Sequence, residues 1–382
     1  MGFAKRTEEI SLSGIRKMFE LIKEDTINLA LGEPDFTTPK HICDAAKNAL
    51  NAGFTHYTST FGMEELREAI ANKLKKDNNL DVTSENIMVT CGASEAILCA
   101  ILALVEKGDE VIITDPGFVS YDACVKIAEG KTVYLPVYEE NEFSISLESL
   151  SEKITKRTKL LIINSPNNPT GSVFPKSNLK AIADLAEDHD FFVLSDEVYE
   201  KILYEGEHHS IGKWIPDRTI TVNAFSKTYA MTGWRIGYLA ASEELMEEIL
   251  KIHQYTSVCA SSISQFAALA ALNGPQDFVY QMKEDFLKRR NLMLTKINEI
   301  EGFSCMKPKG AFYVFVNAKA LGMLSTSLAD YIFEDAGVLT VPGIAFGKNG
   351  EGYLRISYAT SMDKISLALD LIKKSIEKLS KK

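Results

Sequence analysis

The chain is poor in positive charge. Its 382 residues hold 42 Lys and Arg against 52 Asp and Glu, a formal net charge of −10. Binding to nucleic acid through a general basic surface is therefore not expected. Long apolar runs are also missing. Stretches such as "AILCAILALV" (96–105) are too short to span a bilayer, so no membrane association is expected. The opening "MGFAKRTEEI" carries no hydrophobic segment of the signal-peptide type, and Arg6 stands where a myristoylation pattern needs Ser or Thr. There are only six cysteines (Cys43, Cys91, Cys99, Cys124, Cys259 and Cys305), with no CxxC pair, and the six histidines are scattered. That excludes a zinc spacing, and no metal is expected. Reduced thiols in a cytoplasmic protein are the simplest reading. Low-complexity linkers and internal repeats are absent.

What is present is ordinary globular composition, 46% hydrophobic and 25% charged. The length calls for a large domain and a smaller one. The first ~25 residues read as a polar arm with a short amphipathic piece, "SGIRKMFELI". From "NIMVT" onward, short β-branched runs alternate with helical patterns: "DEVIIT", "KTVYLPV", "TKLLIIN", "FFVLSDEVY", "TITVNAF" and "RIGYLAA" read as strands. Such runs separated by helices predict an α/β fold with a mostly parallel sheet covered on both faces. A long charged helix, roughly Gln276 to Ile300, leads to a strand–helix–strand–helix order that reads as a smaller α+β domain. The expected division is 1–40 for the arm and part of the small domain, 41–284 for the large domain and 285–382 for the small one.

Ligands of open parallel sheets bind beyond the C-terminal strand ends. Four such ends carry polar residues. "CGASEA" opens a helix, which makes either an anion site or a plain helix start capped by Ser94. "SPNNPTG" is a rigid turn whose Asn168 is placed to bond a ligand oxygen. "DEVYE" puts Asp196 behind an apolar run, where a carboxylate needs a partner unless it merely caps a helix. In "NAFSKTYAMTGWRIGY", Lys227 is either a solvated strand-end lysine or a desolvated, reactive amine. An anion pocket, buried acid, amide, tyrosine and lysine on one rim are the parts that hold pyridoxal phosphate.

In "LALGEPDF", "HYTSTFGMEELREAI", "SPNNPTG", "SDEVY", "SKTYAMTGWRIGY", "KPKGAFYVF" and "LRISYATS", and in their order, nearly the whole chain resembles the class I, fold-type I pyridoxal-phosphate aminotransferases. The prokaryotic aspartate and aromatic amino acid subgroup is the nearest in pattern. The resemblance implies that Lys227 is the Schiff-base lysine and proton carrier, and that Asp196 pairs with the pyridinium nitrogen. It implies that Asn168 and Tyr199 bond the cofactor's phenolate oxygen. Ala93, Ser94, Ser226 and Arg235 would form the phosphate cup, the guanidinium binding bidentately. Phe118 would stack on the ring, where many relatives carry Trp or Tyr. Tyr57 would reach the phosphate of a neighbouring subunit, so a homodimer is implied. Arg355 would clamp the substrate α-carboxylate, with Phe118 and Asn168 also facing the substrate. Gly32 would approach that carboxylate through its backbone, because a side chain would crowd it.

Three functions compete on these residues. The first is a ping-pong aminotransferase using amino acids and 2-oxo acids, with aspartate favoured as donor to 2-oxoglutarate and aromatic amino acids as the alternative. The second is a carbon–sulfur lyase on the same scaffold. The third is a non-enzymatic regulator, which the short arm and the negative charge disfavour. Against aspartate stand Ile15 and Phe118, which would give an apolar wall suited to Phe, Tyr or Leu.

Overall fold

The computed structural model of the protein describes residues 2–10 and 25–379; the amphipathic arm piece, with Ile15, lies outside them. The strands in chain order are β1 (Ile27–Asn28), β2 (Ile87–Thr90), β3 (Glu110–Asp115), β4 (Lys131–Pro136), β5 (Thr158–Asn164), β6 (Phe192–Asp196), β7 (Thr219–Ala224) and β8 (Gly237–Ala240). They continue with β9 (Ser304–Cys305), β10 (Tyr313–Asn317), β11 (Val338–Leu339), β12 (Val341–Pro342) and β13 (Tyr353–Ser357).

Seven strands form one sheet in the order β2-β8-β7-β6-β5-β3-β4. β3 through β7 run parallel, and only β8 is antiparallel to its neighbours β2 and β7. The fold is α/β, as the alternating pattern predicts. The central strands are apolar along their length because helices cover both faces. Leu160, Leu161, Ile162 and Ile163 of β5 are all at most 1% exposed. Each such side chain contributes up to about 1.5–3 kcal/mol by burial. The predicted strand "FFVLSDEVY" stops at Asp196, and residues 197–199 turn away from the sheet.

A second sheet, β12-β13-β10-β9, is antiparallel, and β1 pairs in parallel with β11. The long helix runs Asp277–Ile297, within the expected span. It packs Met282, Phe286, Met293 and Ile297 into one core with β10 and the helix Met362–Leu379. Segment 29–32 is fixed to the second sheet, since the Ser357 N–H donates to the Leu29 carbonyl at 2.8 Å. No helix among the described residues is long and apolar enough to cross a membrane.

Candidate active site

Parallel registry brings polar residues to one rim. Asn164, the last residue of β5, lies opposite Asp196, the last residue of β6. The Asn164 amide donates to the Asp196 carbonyl at 2.9 Å, and its oxygen accepts the Asn168 N–H at 2.8 Å. The turn after β5 is thus tied to the neighbouring strand. Beyond these ends lies a cavity of ≈ 290 Å³. Every expected cofactor and substrate residue lines it except Tyr57: Gly32, Ala93, Ser94, Phe118, Asn168, Asp196, Tyr199, Ser226, Lys227, Arg235 and Arg355. Tyr57 is 84% exposed and lines a separate groove with Phe54 and Phe266.

Asp196 is buried, with no cation in salt-bridge range among the described residues. Tyr121 donates its hydroxyl to Oδ2 at 2.7 Å, and the Val198 N–H approaches Oδ1 at 3.3 Å. Burial raises its carboxyl to about 6, against the pull of the Tyr121 hydrogen bond. A cationic N–H from a ligand would supply the missing partner.

Lys227 is not at a strand end; it sits in the short helix Phe225–Thr228 that follows β7. Its Nζ donates to the Gly32 carbonyl at 2.6 Å. Burial lowers this amine to about 8, against the opposing charge of Glu33. Half-buried at the cavity wall and bonded to a backbone carbonyl, this amine fits the desolvated alternative better than the solvated one.

The anion site is built by two glycines. Gly92, at φ +79°, occupies the cap position of helix Ala93–Leu104. Ser94 does not cap this helix; it is the second helical residue and is exposed. The helix start turns free N–H groups and a positive dipole end to the cavity. A Cβ on Gly92 would stand 2.6 Å from Arg235 Nη2, so only glycine lets the guanidinium lie there. A Cβ on Gly237 would meet the Ala93 nitrogen at 2.7 Å. Arg235 holds a left-handed φ of +49°, rare for a non-glycine residue and a form of strain found at functional sites. Among the described residues it donates to the Thr232 carbonyl, at 3.0 Å, and to no other protein acceptor.

Arg355, on β13, is 1% exposed and has no carboxylate partner among the described residues. It donates to Asn168 Oδ1 at 3.0 Å and to the Ala30 carbonyl, while its Nε has no partner. The guanidinium lies 4.5 Å from the Tyr313 ring centroid and 4.9 Å from that of Phe346. A buried cation without an anion is costly, so this one is suited to a ligand carboxylate.

Sequence reasoning missed Tyr121, Asn164, Glu33 and Tyr313, all of which line the cavity. Glu33 accepts the Thr232 hydroxyl at 2.8 Å. A Cβ on Gly32 would stand 2.5 Å from the Tyr313 hydroxyl, so the glycine leaves room for Tyr313. Behind the rim, two acid–histidine clusters brace the same elements. Glu95 accepts the Cys91 N–H at 2.6 Å and faces His253 at 3.2 Å. Glu197 accepts Ser195 and Ser210, and Glu200 pairs with Lys73.

Pyridoxal phosphate fits these residues. The Gly92–Arg235 cradle matches its phosphate, the unpaired Asp196 its pyridinium, and the amine of Lys227 its aldehyde.

The family profile for aminotransferase class I and II matches residues 24–372. The chain is 50% identical over 380 residues to the probable aspartate aminotransferase of Methanocaldococcus jannaschii, covering 98% of this chain and all of that one. Aspartate aminotransferase from Thermus thermophilus, solved with maleate, matches with a TM-score of 0.95 at 39% identity, covering 98% and 100% of the two chains. An aromatic aminotransferase from Pyrococcus horikoshii OT3 matches at 0.91 and 44% identity, covering 95% and 99%. Sequence and fold agree along the whole length: the chain belongs to the class I and II aminotransferase family and is a pyridoxal-phosphate-dependent aminotransferase.

Proposed function

We propose that the enzyme transfers the amino group of aspartate to 2-oxoglutarate by a ping-pong mechanism, with aromatic amino acids as a second donor class. The observation that carries the amino-acid reading is Arg355, a buried guanidinium with no carboxylate partner among the described residues, lining the same cavity as Lys227. When bound, pyridoxal phosphate supplies the electron sink for the carbanion formed at the donor α-carbon. The chain supplies the rest. Arg355 binds the α-carboxylate and orients the donor. Lys227, its amine lowered to about 8, takes and returns the α-proton near neutral pH. Asp196 holds positive charge at the ring nitrogen. Asn168 and Tyr199 donate to the ring oxygen, Phe118 covers the ring face, and Ala93, Ser94, Ser226 and Arg235 hold the phosphate.

The aspartate preference is supported by the names of the Methanocaldococcus and Thermus proteins, and the second donor class by the Pyrococcus one. A dicarboxylate such as maleate should occupy this cavity as it accompanies the Thermus enzyme. The lysine and arginines lining it (Lys227, Arg235 and Arg355) all have roles, so the distal carboxylate falls to groups outside this lining. The working unit is a homodimer in the cytoplasm, supported by Tyr57 standing exposed beside Phe54; fully active monomers in sedimentation would end that reading. The domain division at 41–284 and 285–382 is supported by the separation of the seven-stranded sheet from the four-stranded one. The deciding assay is kcat/KM for aspartate, tyrosine, phenylalanine and alanine with saturating 2-oxoglutarate. An aromatic donor ahead by more than about tenfold, a gap of about 1.4 kcal/mol, replaces aspartate.

A further inference from the structure

Tyr313 touches three parts of the site at once. It begins β10, and in "GAFYVF" it reads as one more core aromatic. Its ring is one of the two that the Arg355 guanidinium lies over, at 4.5 Å against 4.9 Å for Phe346. Its hydroxyl lies 2.9 Å from that of Tyr199. The same hydroxyl fills the space that a side chain at residue 32 would need. The side chain is buried, and its ring packs edge-on against Tyr199 at 5.8 Å between centroids. The charged groups facing the hydroxyl pair are Arg355 on β13 and Asp196 on β6, with Lys227 lining the same cavity.

We propose that Tyr313 is a positioning residue with two separable actions: its ring fixes the plane of Arg355, and its hydroxyl orients that of Tyr199. The proposal rests on the roles given above to Arg355 and Tyr199. A phenol O–H has one hydrogen. If Tyr199 spends its own on the cofactor's ring oxygen, Tyr313 must donate to Tyr199. That donation makes Tyr199 the stronger donor, because hydrogen bonds in a chain polarise one another. The ring acts independently of the hydroxyl. A guanidinium held over aromatic faces keeps its N–H groups free for Asn168, Ala30 and the donor carboxylate.

Two variants separate the actions. Tyr313→Phe keeps the ring and loses the hydroxyl. In the cofactor-loaded enzyme the pH midpoint of the visible absorbance should rise by about half a unit, the scale of one neutral hydrogen bond. The KM for the amino donor should stay within about twofold of the parent. Tyr313→Leu removes the face as well. Donor KM and the Kd for maleate, measured by calorimetry, should both rise about tenfold, the scale of one desolvated cation–π contact, while kcat falls less. An unchanged midpoint in Tyr313→Phe overturns the hydroxyl action. In Tyr313→Leu, an unchanged maleate Kd overturns the ring action. If the Leu variant fails to fold, Tyr313→Trp, which retains a face, must keep maleate binding within about threefold, and a larger loss overturns it. Arg355→Ala is the control: if it leaves donor KM unchanged, the carboxylate reading itself fails, independently of Tyr313.

Discussion

The two arginines that line the cavity are held in opposite ways. Arg235 is exposed, left-handed in backbone, and laid over a glycine at a helix start. Arg355 is buried on a strand between two aromatic rings. Neither has a carboxylate partner among the described residues. The first is fixed by backbone: helix, Gly92 and strained turn leave it one place to lie. The second is held by tertiary contacts: two aromatic rings, the Asn168 side chain and the Ala30 carbonyl. A site for a resident anion can be built rigidly into the chain. A site for an anion that comes and goes must pay for its empty state, and aromatic faces offset part of that cost without supplying a competing anion.

The comparison can be broken from its centre outward. Lys227 serves both ends of the cavity, and Lys227→Ala should lower transamination by several orders of magnitude, since nucleophile and proton carrier vanish together. Borohydride should fix the cofactor on the parent's Lys227 peptide and on no other. Asp196→Asn should lower kcat by about 10²–10³-fold yet stabilise the cofactor-free protein. Burial raises the Asp196 carboxyl from 3.8 to about 6, so the folded state holds that proton more tightly than the unfolded chain. Cofactor-free stability therefore falls as pH rises through this window and stays lower above it. The variant should lack that fall and gain up to about 3 kcal/mol at pH 7, read by urea melts at several pH values. Arg355→Ala should cost about a hundredfold in kcat/KM, mostly in KM. Arg235→Ala should instead weaken cofactor binding and leave donor KM unchanged once cofactor is saturating. If both variants shift the same constant, the division between the two arginines is wrong. The smallest effect is expected from Gly92→Ala, whose Cβ displaces the Arg235 guanidinium; cofactor Kd should rise about tenfold, with donor KM intact.

The strand-end residues were legible because apolar runs end abruptly at them. Asp196 and Asn168 each follow a run that must be buried, and a polar group there needs a reason. Gly92 is visible as part of a helix-opening motif, though the cap lies two residues before Ser94, the residue that the plain-helix alternative offers. Arg355 carries no local signal of this kind in "LRISYATS", and only the family resemblance places it in the site. Tyr121 and Tyr313 were hidden for a different reason. Each sits in a periodic apolar segment where an aromatic satisfies the core by itself, and its hydroxyl finds a partner only through tertiary contact. The reversal of β8 was equally invisible, because a strand's direction is set by its neighbours and leaves no mark on composition.

The bond from Lys227 to the Gly32 carbonyl makes that backbone oxygen a rival of the cofactor for one amine. Cofactor that took up this amine would free the carbonyl. The neighbouring carbonyls of Leu29 and Ala30 stay engaged by Ser357 and Arg355, so the release is confined to a few residues. The segment 31–34 is thereby a gauge of occupancy built into the chain. With the Gly32 carbonyl carbon isotopically labelled, its infrared stretch should move up on loading and back on stripping, reporting how full the enzyme is in a mixture where no turnover can be measured.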